Sequence, residues 1–286
     1  MPELPEVETI INDLKKVILR KKIARVDIVD KKVVGSNFKI FQSKFKGNYF
    51  IDIERRGKLI IFYLKRGDYL LVHLKMTGQL IYCDKKHCIA GGHEIKGSLG
   101  KLPNKYTRAF FKFSDSSVLY FNDLRRFGYL KVVSKEGLEK IKAGYGVEPF
   151  SKNFTLVKLK EILKDRKRDI KQILMNQALI AGIGNIYADE VLFAARIRPT
   201  RSAGSLKEAE IKNLFRSIGD ILKKGIKYRG TTFSDYLDSS GRKGNFTAFL
   251  RVYGRKTGDK CFRCSGALKK IKIGGRSSVY CPACQK

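Results

Sequence analysis

Apolar residues recur every three or four positions near the start of the chain, from just after Pro5 to about Arg20. This spacing predicts an amphipathic helix with one buried face. Proline fits the first turn of a helix because its missing N–H would be unpaired there anyway, so the helix is expected to start near Pro5. The apolar face consists of Val7, Ile10, Ile11, Leu14, Val17 and Ile18.

The pattern then becomes short and strand-like, and it stays so up to residue 133. The runs are rich in β-branched and aromatic residues and are separated by Gly, Asp, Ser or Asn, which is typical of strands joined by turns. Many short strands in succession predict a sandwich or barrel-like domain. The predicted strands are Ile23–Val29, Phe50–Ile53, Leu59–Leu64, Tyr69–Leu74, Ala109–Phe113 and Val118–Phe121.

Helical spacing returns in the second half of the chain. It predicts a short charged helix over 135–142 and about four helices over 151–229. Polar, glycine-bearing residues over 230–245 predict a loop. The predicted domains are a β domain over 1–133, a linker over 134–150, a helical domain over 151–245 and a cysteine-containing module over 246–286.

Charge is the most unusual feature of the composition, because 60 Lys and Arg residues oppose 27 Asp and Glu residues and give a net charge of +33. Such an excess favours a polyanionic partner, nucleic acid before an acidic membrane, although a lysine-rich surface accounts for part of it. No apolar run approaches the ~20 residues that span a bilayer, and the acidic N-terminus is unlike a secretory signal. We expect a cytoplasmic protein without a membrane partner.

Two Cys-x-x-Cys pairs, Cys261/Cys264 and Cys281/Cys284, enclose a spacer of 16 residues. This arrangement predicts one structural zinc ion, because four thiolates close a tetrahedral site and leave no position open for water. A redox dithiol is the alternative. The spacer predicts a β-hairpin that turns at Gly274-Gly275, and its basic residues suit a nucleic-acid backbone.

Cys83, His87, Cys88 and His93 form a second group of candidate metal ligands within eleven residues. The surrounding Gly and Lys residues instead favour an exposed loop insertion. In a reducing compartment cysteines favour metal binding or free thiols over disulfides. We therefore expect free thiols on a loop, with a second metal ion as the alternative.

The first residues offer a compact set of reactive groups. Met1 is expected to be removed because Pro2 follows it, which would expose a secondary amine beside the carboxylates of Glu3 and Glu6. An amine next to carboxylic acids can perform covalent chemistry on an aldehyde-like carbon. Proline at position 2 is also common in proteins that make no use of it, so these residues need support from further motifs.

Several motifs supply that support by their order and spacing, and with them the chain resembles formamidopyrimidine-DNA glycosylase, a bacterial enzyme that removes oxidised purines. The resemblance runs nearly from end to end. Its motifs are Pro2-Glu3-Leu4-Pro5-Glu6-Val7-Glu8-Thr9, Arg56-Gly57-Lys58, His73-Leu74-Lys75-Met76-Thr77-Gly78, Asp123-Leu124-Arg125-Arg126-Phe127-Gly128, Gly182-Ile183-Gly184-Asn185-Ile186-Tyr187-Ala188-Asp189-Glu190, Val252-Tyr253-Gly254-Arg255 and the cysteine module.

The resemblance implies an α+β fold, with an N-terminal β-sandwich that carries an N-terminal helix, a helix-two-turn-helix domain and a C-terminal zinc ribbon. It also implies a glycosylase that flips its base out of the duplex and is an apurinic/apyrimidinic lyase. Pro2 then attacks C1′, Glu3 acts as general acid from a partly desolvated site, Glu6 supports it, and Lys58 contacts phosphate. The implied partner is duplex DNA with an oxidised base or an abasic site, bound by a monomer without a small-molecule cofactor.

Further residues match the positions that contact DNA in this family. Met76, Arg125 and Phe127 would fill the space left by the flipped nucleotide, since apolar wedges replace lost stacking and Arg can bond to the orphaned base. Asn185 and Arg276 would hold phosphates, and Arg126 is a further candidate. The loop over 230–245 aligns with the segment that caps the extruded base.

Alternatives remain at this stage. An endonuclease VIII-type enzyme acting on oxidised pyrimidines shares Pro2, Glu3 and the lysine, but the motif over 125–128 favours the purine enzyme. A non-catalytic zinc-ribbon DNA-binding protein, or a basic RNA-binding protein, would not need the N-terminal residues. Leu124 stands where Pro is common in the family, and the tip of the 230–245 loop differs freely within the family, which leaves base preference open.

Overall fold

The computed structural model describes residues 1–35, 38–92, 100–231 and 246–286. Contacts divide the chain into two compact units, Met1–Ala143 with Tyr228–Asn245, and Gly144–Lys227 with Phe246–Lys286. His93 and most of the predicted capping loop lie outside the described residues. No helix in the described ranges is long and apolar enough to cross a membrane.

The first unit opens with helix α1, Leu4–Ile18, close to the predicted span. Glu3 is its N-cap, and a reciprocal capping box with Glu6 supplies partners for two backbone N–H groups that a helix start leaves free. Five of the six predicted apolar residues are buried, with Val7 and Ile18 fully closed to solvent, and Val17 is partly buried. Sequence periodicity therefore placed both the helix and its buried face.

Two antiparallel sheets form the rest of this unit. Their strands are β1 Ile23–Ile28, β2 Phe50–Arg56, β3 Leu59–Leu64, β4 Tyr69–His73, β5 Gly78–Cys83, β6 Cys88–Gly92, β7 Thr107–Phe113, β8 Val118–Asp123 and β9 Tyr129–Val133, and two short helices, α2 Phe38–Ser43 and α3 Lys135–Ala143, accompany them. The five-stranded sheet has the order β1-β7-β8-β5-β6 and the four-stranded sheet has the order β2-β3-β4-β9.

A single apolar core joins the two sheets and α1. It includes Ile10 of α1, Phe62 of β3 and Phe121 of β8, each nearly or fully buried. Phe50, Phe62, Phe111 and Phe113 meet edge-on or tilted, as aromatic rings prefer. The mixed α+β class and the predicted N-terminal β-sandwich are confirmed.

The predicted exposed loop around Cys83 and Cys88 is wrong. Cys83 ends β5 and Cys88 begins β6, and the two residues lie opposite each other in an antiparallel hairpin. Their sulfurs form a disulfide, so the expectation of free thiols is also wrong. Composition misled the prediction, because Lys85 and Lys86 lie in the hairpin turn, and Gly91 and Gly92 lie on the edge strand β6.

The second unit contains four α-helices and a hairpin in its described part. The helices are α4 Leu156–Leu163, α5 Ile170–Met175, α6 Asn185–Ala195 and α7 Glu208–Lys227. Strands β10, Lys269–Ile273, and β11, Arg276–Tyr280, turn at Gly274 and Gly275, both with positive φ. Helix α6 is apolar nearly all round and is buried accordingly. The helical domain and the predicted zinc-ribbon hairpin are both present.

Candidate active site and nucleic-acid interface

The N-terminal carboxylates lie at the start of α1 and are almost closed to solvent, with Glu3 2% and Glu6 3% exposed. The Glu3 N–H donates to Glu6 Oε2 over 2.9 Å, and the Glu3 carboxylate accepts from the Glu6 backbone N–H. Pro2, immediately before the cap, is also buried. Helix capping therefore fixes both acids beside the proline, in the partly desolvated environment that a general acid requires.

Glu6 has a second set of partners that the sequence did not suggest. Its Oε1 accepts the Thr231 N–H over 2.7 Å and the Thr231 hydroxyl over 3.0 Å. Gly230 is necessary beside it, because a Cβ there would lie 2.7 Å from the same oxygen. Glu6 thus joins the helix start to residues 230–231, which lead into the predicted capping segment.

Lys58 follows Gly57 in the turn between β2 and β3 and is only 5% exposed. Its neighbour Leu59 pairs with His73 in the sheet. Burial, together with smaller effects of the Lys75 and Lys58 charges, lowers the pKa of His73 to about 3. The Lys75 N–H donates to His73 Nδ1, so the neutral ring carries its proton on Nε2. Within the sequence, His73 is recognisable only as part of the motif over 73–78.

Met76 and Phe127 are exposed apolar side chains on two separate turns, at 37% and 54% exposure. The Arg125 guanidinium lies over the Phe127 ring, 4.6 Å from its centre. Leu124, beside them, is 48% exposed. The apolar side chains of both turns are thus available to a partner surface.

Arg126 is directed elsewhere by an ion pair. Its Nε lies 2.7 Å from Asp30 Oδ2, and the arginine itself has a left-handed backbone with φ of 60°. The Arg126 guanidinium lowers the pKa of Asp30 against the opposing effect of burial. Arg126 is therefore already engaged, and only its remaining N–H groups are available to a phosphate.

In the second unit, Asn185 is the first residue of α6 and follows the turn Gly182-Ile183-Gly184. Gln177 holds this turn: its Oε1 accepts the Gly182 N–H over 2.8 Å, and its Nε2 donates to the Ile183 carbonyl over 2.7 Å. Asn185 Oδ1 is buried without a hydrogen-bond partner among the described residues. A turn and helix start of this kind present N–H groups to an anion.

The four predicted zinc ligands converge. The sulfurs of Cys261, Cys264, Cys281 and Cys284 all lie within 4.8 Å of one another. Two of the sulfur–sulfur distances are 3.9 and 3.5 Å, close to the roughly 3.8 Å that tetrahedral thiolates at a Zn–S distance of about 2.3 Å require. The four cysteines thus form a closed, structural site for one zinc ion.

Arg276 begins β11 and is exposed beside the hairpin turn. Side chains of α5 and α6 hold the next two residues, Ser277 and Ser278, by hydrogen bonds. Lys171 Nζ donates to the Ser277 carbonyl over 3.0 Å, and Ser278 Oγ donates to Asp189 Oδ1 over 2.6 Å. Helices α5 and α6 therefore set the position of the strand that carries Arg276.

Family comparison matches three successive parts of the chain. Residues 1–130 match the formamidopyrimidine-DNA glycosylase N-terminal domain, 145–236 its H2TH domain, and 258–286 the zinc finger found in FPG and IleRS. The formamidopyrimidine-DNA glycosylase of Pelotomaculum thermopropionicum is 42% identical over 289 residues, covering 100% of this chain and 99% of the relative. That of Desulfitobacterium hafniense is 41% identical, with 100% of both chains covered.

Solved structures agree. The chain is similar, at 34% identity and a TM-score of 0.87 over 100% of both chains, to a Lactococcus lactis FPG mutant in complex with DNA containing Fapy-dG. It is also similar, at 34% identity and a TM-score of 0.86 over 99% of both chains, to Lactococcus lactis Fpg with DNA containing an abasic site.

The β-sandwich with its capped acids, the helical unit and the zinc ribbon together define an enzyme of DNA base excision repair. More specifically, the chain belongs to the formamidopyrimidine-DNA glycosylase family. It is accordingly a bifunctional glycosylase and AP lyase, as the resemblance implied.

Proposed function

We propose that this enzyme excises oxidised purines from duplex DNA, with Pro2 as its nucleophile after removal of Met1. The observation that carries the proposal is the buried capping box, which fixes Glu3 and Glu6 at the start of α1, directly after Pro2. An N-cap alone does not require Glu at position 3, because Ser, Thr, Asp or Asn caps a helix at least as well.

The Pro2 amine adds to C1′ of the damaged nucleotide, the bond from C1′ to the base breaks, and the departing base takes up the proton that the Pro2 nitrogen loses. Glu3 gives its proton to the ring oxygen O4′ as the sugar opens, which leaves an iminium between Pro2 and C1′. Loss of a C2′ proton then expels the 3′ phosphate, and a second elimination expels the 5′ phosphate. Water finally hydrolyses the iminium and releases the amine.

Lys58 and His73 act on the phosphate beside the extruded nucleotide. Lys58 supplies the positive charge, and the neutral His73 ring donates from Nε2 while its Nδ1 accepts the Lys75 N–H. A neutral donor suits this position, because it adds a hydrogen bond without changing charge as the pH varies through 6 to 8. Glu6 anchors the start of the capping segment and does not itself transfer a proton.

Met76, Arg125 and Phe127 fill the gap in the duplex, and the second unit holds phosphates through Asn185 and Arg276. These roles match the exposure of the three side chains and the helix start at Asn185. Duplex DNA with an oxidised base or an abasic site is the partner, and we place the enzyme with the DNA in the cytoplasm.

The decisive experiment is borohydride trapping. The purified protein is incubated with duplex DNA containing 8-oxoguanine, the adduct is reduced, and the cross-linked peptide is identified by mass spectrometry. We expect the adduct on Pro2, and its loss in Pro2→Gly. An adduct on a lysine, with Pro2→Gly fully active, would overturn the assignment of the nucleophile.

Trapping also distinguishes the pyrimidine-specific alternative, because the same assay on DNA with an oxidised pyrimidine should give a slower reaction.

For the phosphate contacts, Arg276→Ala should reduce the slope of log affinity against log salt by about one, the share of one released counterion. An unchanged slope would remove Arg276 from the interface.

A further inference from the structure

Asp123 is the last residue of β8, and its side chain is fully closed to solvent. Its Oδ2 accepts the Gly128 N–H over 2.7 Å. Its Oδ1 accepts the Thr77 hydroxyl over 2.5 Å and the Arg125 N–H over 3.1 Å. All three partners are donors, so the site requires the acceptor-only carboxylate of Asp.

These bonds join two turns that are far apart in sequence. Thr77 belongs to the Met76 turn, residues 74–78, and the other donors belong to the Arg125 loop, residues 123–128. The turns are also joined directly, because the Arg125 N–H donates to Thr77 Oγ1 over 2.9 Å. One buried carboxylate is thus common to both turns.

Glycines leave each turn no room to adjust. A Cβ on Gly78 would lie 2.5 Å from the Leu74 carbonyl oxygen, and a Cβ on Gly128 would lie 2.7 Å from the Phe121 ring. The peptide groups on either side of the exposed residues are therefore packed tightly. The flexible part of each turn is restricted to the side chains that point outward.

Resting on the proposed function, we propose that Asp123 is a positioning residue that fixes the Met76 turn and the Arg125 loop as one rigid element. It acts through Thr77 and the Arg125 backbone and does not contact DNA itself. Its purpose is to hold Met76, Arg125 and Phe127 at the spacing needed to enter the duplex together, so that ordering them costs little at the moment of base extrusion.

The test compares two DNAs that differ in whether a gap must be filled. One is a duplex with paired 8-oxoguanine, and the other is a single-stranded oligonucleotide with an abasic site, which offers no gap. The loss of one charge-assisted hydrogen bond within this element corresponds to a reaction that is roughly 10–100-fold slower. We expect Asp123→Asn to slow adduct formation on the duplex by that factor and to change the rate on the single strand by less than about threefold.

Thr77→Val and Thr77→Ser provide a second, milder pair. Valine removes the hydroxyl and should reproduce part of the duplex-specific loss, whereas serine keeps the hydroxyl and should restore the rate. Asp115→Asn is the matched control, since Asp115 is a hydrogen-bonded aspartate in the turn before β8 and lies outside both loops. Unfolding temperature and zinc content verify folding of each variant.

A direct measure of insertion completes the design. With 2-aminopurine opposite an abasic site, the wild-type protein should raise the fluorescence by displacing the base, and Asp123→Asn should weaken this rise. Equal rate losses on both DNAs, or no loss on either, would overturn the positioning role. If the wild-type protein formed no adduct with either DNA, the proposed function would fail, and the fluorescence comparison would still decide the role of Asp123.

Discussion

Lys171 Nζ lies 2.7 Å from Asp189 Oδ1, and both side chains are closed to solvent, at 0% and 2% exposure. Burial raises the pKa of Asp189, and the Lys171 ammonium opposes the rise. Each partner also makes a hydrogen bond to β11: Lys171 donates to the Ser277 carbonyl, and Asp189 accepts from the Ser278 hydroxyl. The pair therefore satisfies its own charges and connects α5 and α6 to the zinc-ribbon hairpin.

Breaking this pair from one side should be strongly destabilising. Lys171→Met leaves the Asp189 charge buried without its cation, and we expect a loss of about 3–5 kcal/mol in the free energy of unfolding. The double variant Lys171→Met/Asp189→Leu should recover part of that loss, because no lone charge remains. Denaturant unfolding of the single and double variants measures the coupling.

The surface pair Lys160–Glu208 is the matched control for this prediction. Its atoms are 2.8 Å apart, but the side chains are 39% and 61% exposed. Lys160→Met should change stability far less than Lys171→Met, since water screens such pairs. A loss as large as that of Lys171→Met would mean that burial is not the cause.

Glu3 and Glu6 should respond differently to the same isosteric change. In Glu3→Gln the amide oxygen can still accept the Glu6 N–H, so stability should change little, while loss of the acid should slow base excision by about 10²–10⁴-fold. In Glu6→Gln one of three donors, Glu3 N–H, Thr231 N–H or the Thr231 hydroxyl, loses its acceptor.

We therefore expect Glu6→Gln to lower stability by about 1–3 kcal/mol as well as activity. Single-turnover excision and thermal unfolding of both variants check this division. Loss of stability in Glu3→Gln, with Glu6→Gln unaffected, would reverse the two roles.

Local sequence patterns were sufficient to predict those elements whose structure follows from one short pattern of residues. Apolar spacing located α1 and its buried face, and a short apolar run rich in β-branched and aromatic residues located β3 with the bounds that the structure gives. The cysteine spacing predicted the zinc ligands, because two Cys-x-x-Cys pairs with a spacer of this length are typical of a four-thiolate zinc site. The N-terminal site could be suspected from Pro2 and Glu3 but needed the family motifs to give it a substrate.

Contacts between distant residues were beyond the sequence. Asp123 and Thr77 are 46 positions apart, and Lys171 and Ser277 are 106 positions apart. A buried lysine or aspartate has no local signature, since its charge predicts exposure. The β5–β6 hairpin was missed for a related reason: its glycines allow close approach to α1, where a Cβ on Gly91 would lie 2.4 Å from Ile10.

Removal of zinc should open the hairpin and leave the N-terminal catalytic groups unchanged. Metal analysis should give one zinc ion per chain, because the disulfide withdraws Cys83 and Cys88 from metal binding. Cys264→Ser should lower both the zinc content and the affinity for duplex DNA. Two zinc ions per chain, or full affinity after chelation, would contradict this prediction.

The Cys83–Cys88 disulfide can be counted directly. Of six cysteines in the chain, four are free in the structure. After denaturation with a chelator and without a reductant, iodoacetamide should modify four cysteines, and after reduction it should modify six. The bond closes a short loop, so Cys83→Ser/Cys88→Ser should cost about 2 kcal/mol or less. Six modified cysteines without reductant would disprove the bond.

His73 should make folding depend on pH in the acid range. The unfolded chain binds a proton on this ring near pH 6.5, whereas the folded protein binds it only near the lowered pKa of about 3. The stability contribution is therefore complete above about pH 6.5 and falls with decreasing pH toward 3, by up to about 1.4 kcal/mol per pH unit.

His73→Gln should remove this slope, and His87→Gln, in the exposed turn between β5 and β6, should retain it. Denaturant unfolding between pH 4 and 8 measures the slopes, and NMR of the imidazole should detect no protonation of His73 between pH 5 and 8; a titration near 6.5 would show that the ring is not held neutral.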